Sequence, residues 1–114
     1  MMKKTLLALS LLIMIGAQAQ QELIESGDFN FEHHFYKEAV KDYTNALGFS
    51  SLESGSRLHA KQQLAYSYHL LFDYEKAEAA YHSLAQDTNN HDLRVFLNYG
   101  HVLRNNGKYT AASL

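Results

Sequence analysis

A chain of 114 residues with 46% hydrophobic content has room for one small domain, and having neither Cys nor Pro it builds that domain without disulfides or thiolate metal sites. The formal net charge is −2 with His neutral, and no basic run marks a nucleic-acid footprint.

The chain opens with a targeting pattern. Lys3 and Lys4 form a positive start, Leu6 to Ile15 an apolar run, and Ala17-Gln18-Ala19 a small-residue cleavage site. The run is shorter than the ~20 residues a spanning helix needs. Residues 1–19 therefore read as a signal peptide, cleaved to leave Gln20 first and residues 20–114 as the folded region. No Cys follows the apolar run, so a lipid anchor through an acylated Cys is excluded. Without Lys3 and Lys4 the balance becomes 8 basic against 12 acidic residues. An exported, soluble, bacterial-type envelope protein is expected, in the periplasm or on the periplasmic side of the outer membrane.

From Glu22 a helix is expected through Leu23, Ile24, Gly27 and Phe31, with a bend at His33-His34. A second helix opens at Phe35-Tyr36 and carries Ala39, Tyr43, Ala46 and Leu47, with Gly48 as its C-terminal stop. The Gly- and Ser-rich stretch 48–56 reads as a loop. A third helix spans about Arg57 to Leu71 and a fourth Tyr74 to Gln86, with Asp73 as N-cap and Glu75 suiting the macrodipole. A polar break follows at residues 87–90. A fifth helix starts near Asp92, carries Leu93, Phe96, Tyr99, Gly100 and Leu103, and ends at Asn105-Asn106-Gly107; a sixth begins at Tyr109.

The stretch Leu64 to Leu84 organises the rest. Small residues (Ala65, Ala77, Ala80) alternate with large aromatic ones (Tyr68, Tyr74, Tyr81), which lets two helices approach closely as an antiparallel hairpin. The pattern recurs. Tyr74 and Ala77 are repeated 35 residues later as Tyr109 and Ala112, and Tyr36, Ala39, Tyr43 and Ala46 recur 38 residues later as Tyr74, Ala77, Tyr81 and Leu84. The extra length falls in the 48–56 loop, where a solenoid tolerates it.

Helix–turn–helix units of this period resemble the tetratricopeptide repeat. Leu64, Ala65, Tyr68, Ala77, Tyr81 and Leu84 fall at that family's large, small and aromatic positions. Phe96 stands where the family has Trp, and Tyr99-Gly100 where it has Leu-Gly. Asn89 replaces the usual closing proline, and the first unit keeps only Ser26-Gly27 of the large-small pair. The resemblance implies an all-α fold of about two and a half units, near 20–50, 57–90 and 92–114, the last truncated at Leu114. A solenoid needs roughly three repeats and polar caps. The chain is thus expected to be a fragment of a longer protein, with an end covered by a partner as the other option.

No catalytic constellation is found. The seven histidines (33, 34, 59, 69, 82, 91 and 101) include no i, i+4 pair and no H-E-x-x-H, and Ser is abundant only in the loop, where turn chemistry explains it. No enzyme, metal or cofactor is expected. In stacked hairpins the first helix of each unit lines the concave face, so the candidate partner contacts are Gln62, Tyr66, His69 and Leu70 from the third helix and Leu97, His101, Arg104 and Asn105 from the fifth. Tyr and Arg dominate binding hot spots. Ordinary solvated helix surface is the competing explanation.

A wider resemblance rests on Phe29, Phe31, Phe35 and Tyr36, on residues 73–77, on Asn98-Tyr99, and on Asn106 to Tyr109. With the leader, these look like the N-terminal region of Bacteroidetes-type envelope proteins that continue into a PD40-type propeller and an OmpA-like peptidoglycan-binding domain. Some of those proteins are similar to the peptidoglycan-tethering subunit of type IX secretion. The resemblance implies a non-enzymatic docking module with an envelope-protein partner and indirect outer-membrane association. Peptidoglycan would be reached only through domains absent from this chain. The alternative is a stand-alone exported adaptor with the same repeats.

Overall fold

The computed structural model describes residues 2–107. These form five helices and no strand: α1 (Met2–Glu32), α2 (Tyr36–Leu47), α3 (Ser54–Leu70), α4 (Tyr74–Ala85) and α5 (Leu93–Asn105). Each helix packs on the next, and α1 also reaches α3. The expected sixth helix at Tyr109 and Ala112 lies outside the described residues.

Helix α1 does not begin at Glu22. It runs unbroken for 31 residues, because its Leu- and Ala-rich first half is itself a good helix former. Every side chain from Lys3 to Ile15 is nevertheless exposed. Gln20 Nε2 donates to Ser51 Oγ at 2.8 Å, and Ile24 is the first buried apolar side chain. The projecting half of α1 accounts for a radius of gyration of 17.2 Å, against roughly 13 Å for a compact domain of this length.

Two of the turns share one backbone conformation and hydrogen-bond pattern. His34, Phe72 and Gly107 are the described residues with positive φ, at 64°, 61° and 76°. They are separated by the same offsets as Tyr36, Tyr74 and Tyr109. At the first, His34 N–H donates to Phe31 C=O at 3.1 Å and Phe35 N–H to Asn30 C=O at 2.7 Å. At the second, Phe72 N–H donates to His69 C=O at 3.0 Å and Asp73 N–H to Tyr68 C=O at 2.9 Å. These paired bonds are the Schellman ending, which caps orphan carbonyls and turns the chain back into a hairpin. Gly107 N–H repeats the inner bond, to Arg104 C=O at 3.0 Å.

Gly48 is not such a stop. Its φ of −69° and ψ of −18° are right-handed, and α2 ends in a tightened turn with Phe49 N–H on Ala46 C=O. The loop is shorter than expected, since α3 already starts at Ser54; Arg57 sits in its first turn and donates to the Leu47 and Phe49 carbonyls. Asp73 caps α4 through Lys76 N–H, and Asp92 caps α5 through Arg94 N–H.

A left-handed Phe costs about 1–2 kcal/mol, of which glycine's extra freedom in the unfolded chain returns roughly half. Phe72 is 75% exposed, so Phe72→Gly is expected to stabilise by about 0.5–1 kcal/mol. In a domain this small that raises the melting temperature by about 2–8 °C. A thermal melt by circular dichroism that shows no rise contradicts the turn geometry.

Two core clusters follow the hairpins. One holds Ile24, Ala39, Tyr43, Ala46 and Ala60; the other holds Ala65, Ala77, Tyr81, Leu84, Val95 and Val102. In each, a fully buried tyrosine of the second helix packs against a small residue of the first. At Gly27 the approach leaves no room for a side chain, since an added Cβ would lie 2.7 Å from the Tyr43 ring.

Candidate functional site

The two hairpins spend equivalent positions differently. In the first, Tyr43 OH donates to Asp28 Oδ1, and His59 Nε2 lies 2.7 Å from the same oxygen, so one carboxylate ties α1, α2 and α3 together. One repeat further on the corresponding residues are Tyr66, Tyr81 and Arg94. The position of Asp28 is taken there by Tyr66, and a cleft of about 260 Å³ stays open, lined by Phe31, Tyr66, His69, Leu70, Tyr81, Arg94 and Asn98.

Several hydrogen bonds fix its walls. His69 Nδ1 and Tyr81 OH are 2.9 Å apart, and the His69 ring stacks on His101 with centroids 5.2 Å apart. Tyr66 OH donates to Asp92 Oδ2 at 3.3 Å, and the Arg94 guanidinium lies 5.8 Å from the Tyr66 ring centre. Arg94 also donates to Asp92, from Nη2 to Oδ2 at 2.8 Å and from Nε to Oδ1 at 3.1 Å. The Arg94 side chain thereby holds the Asp92 carboxyl below its usual range. Burial raises the Tyr81 and Tyr66 phenols above theirs, so both stay neutral here.

Of the contacts expected from sequence, Tyr66, His69 and Leu70 line the cleft, and His101 buttresses it by stacking on His69. Gln62 is drawn away, donating from Nε2 to the Oδ1 of the buried Asn90 at 2.9 Å. Leu97, Arg104 and Asn105 are exposed on α5 outside the cleft, and Asn105 bonds back to His101. Phe31, Arg94 and Asn98 were not anticipated. The repeat offset marks Phe31 and Arg94, which correspond to His69 and His59. Among the described residues no group of three His, Cys, Asp or Glu side chains is placed to hold a metal ion.

His69 makes the site sensitive to acid. Burial, and then the neighbouring His101, hold its imidazole below the usual value. As the pH falls past ~6.5 the unfolded chain therefore takes up this proton before the folded one does. Stability from this group is complete above that pH and declines below it. His69→Gln is expected to flatten the loss between neutral pH and about pH 5 in urea-unfolding curves. An equal loss in both proteins would contradict this.

Compared with models of known protein families, and with curated protein sequences, the chain finds no match. Lys3–Glu32 is long and apolar enough, by length and composition alone, to serve as a signal sequence or a membrane span.

Proposed function

We propose that this chain is an exported, non-enzymatic scaffold of the tetratricopeptide type whose cleft between α3 and α5 docks a protein of the cell envelope. The observation that carries the repeat assignment is the recurrence of left-handed turns at His34, Phe72 and Gly107 in the register of the sequence repeat. The cleft carries the docking role, because it gathers aromatic and guanidinium groups from four helices in one concavity. Export is supported by the leader's exposure. No side chain from residue 3 to 19 is buried, so cleavage before Gln20 removes nothing from either core cluster. On the wider family resemblance, the module would be the docking arm of a peptidoglycan-associated outer-membrane or secretion-system protein, with the cell wall held by other domains.

The test compares two variants of the tagged protein purified from the cells that export it. Leu70→Glu places a charge on the cleft rim, where the native side chain is 47% exposed. It is expected to lose the envelope protein that the wild type retains. Leu97→Ala with Arg104→Ala, outside the cleft, should keep it. Retention by both variants refutes the cleft as the docking site. The exported protein should also begin at Gln20 by intact mass, and a retained leader would refute the processing step.

A further inference from the structure

We propose that the cleft takes one uncharged aromatic side chain from its partner and rejects an acidic one, an inference that rests on the docking role just described. Size sets the first limit. At about 260 Å³ the cleft falls below the ~300–1,000 Å³ of small-molecule and cofactor sites, which suits a single side chain. Charge sets the second. Arg94 is the cation in the lining, and its guanidinium is engaged twice by Asp92, which also accepts from Tyr66 OH. An incoming carboxylate would lie beside Asp92 and compete with it for the same donor. Near neutral pH, burial keeps His69 from supplying a second cation.

The surfaces that remain are the Phe31, Tyr66 and His69 rings, the Leu70 side chain and the flat face of the Arg94 guanidinium. A planar ring can pack against these surfaces face-on or edge-on, and a guanidinium–aromatic contact needs no counter-charge. The matching positions of the first hairpin show what a carboxylate does in this place. Asp28 draws Tyr43 and His59 onto itself, whereas Tyr66 at the equivalent position leaves the site open and aromatic.

The experiment titrates the nitrogen-15-labelled full chain near neutral pH with two capped peptides, Gly-Ser-Phe-Ser-Gly and Gly-Ser-Glu-Ser-Gly. The phenylalanine peptide should give saturable amide shifts at Tyr66, His69, Leu70 and Asn98, and bind at least about tenfold tighter than the glutamate peptide. Asn98→Trp fills the cleft from α5 and should abolish these shifts while the helical circular dichroism is kept. The inference is overturned by any of four results: equal or tighter glutamate binding, no saturable shift with phenylalanine, shifts centred elsewhere, or shifts that survive Asn98→Trp. Concentration-dependent shifts at the same amides without peptide would identify a second copy of the chain as the occupant and also overturn it. If the peptide preference fails while Leu70→Glu still loses the envelope protein, docking stands and the aromatic specificity falls. If Leu70→Glu has no effect either, both fall.

Discussion

Tyr81→Ala is expected to cost about 3–5 kcal/mol, the largest loss from any single truncation in the second hairpin. Tyr81 is fully buried, and it sits in one cluster with Ala65, Ala77, Leu84, Val95 and Val102. Its ring fills the space that small residues on α3 leave, and its hydroxyl meets His69 Nδ1 at 2.9 Å. Truncation opens a cavity and also removes a hydrogen-bond partner from His69. Domains of this size are stable by only about 5–15 kcal/mol, so much of the variant should be unfolded at 37 °C. Tyr81→Phe keeps the ring and loses only the hydroxyl contact, at about 1 kcal/mol. Urea-unfolding curves of the three proteins decide the matter. An alanine variant within 1 kcal/mol of wild type would show that Tyr81 does not hold α3, α4 and α5 together.

Gly27→Ala is the second large effect, and its sign is the informative part. In an exposed helix interior this change gains close to 1 kcal/mol. Here the new Cβ would lie 2.7 Å from Tyr43 Cε1 and 2.9 Å from Cδ1 and Cζ. The ring has nowhere to go, since Tyr43 is fully buried and its hydroxyl is held by Asp28. Helix α1 must therefore move off α2, and overpacking of this kind costs about 1–3 kcal/mol, more than the propensity gain. A net loss in chemical denaturation is expected. A gain would show that α1 and α2 are further apart than described.

Both effects come from one small-against-large device, and the sequence shows it unevenly. Ala65, Ala77 and Tyr81 stand at helical spacing within one stretch, so the central hairpin could be read from periodicity, and all three are fully buried. The helical class and the bends at His34 and Phe72 were legible for the same reason. The close contact inside the first hairpin was not, because Gly27 carries no side chain to register in a hydrophobic pattern and its partner Tyr43 lies on the next helix. Gly48 misled in the opposite way. Glycine after a helix usually signals a left-handed stop, but α2 ends on a right-handed residue, while the left-handed positions fall to His34 and Phe72, which propensity disfavours there.

The cleft was half legible. Tyr66, His69 and Leu70 follow from the rule that first helices face inward. Gln62 meets that rule too, yet the buried loop residue Asn90 accepts from it. Tertiary hydrogen bonds of this kind leave no periodic trace. Leu97 and Arg104 fall outside because α5 presents Arg94 and Asn98 to the cleft instead.

The central claim, that this cleft is where the exported protein meets its partner, is tested most directly by photo-crosslinking in living cells. A benzophenone side chain is placed at position 70 on the cleft rim, or at the exposed position 79 on α4 as control. The account predicts one discrete adduct from position 70, absent from position 79 and abolished by Asn98→Trp. Equal adducts from both positions, or an adduct at 70 that survives Asn98→Trp, would contradict it.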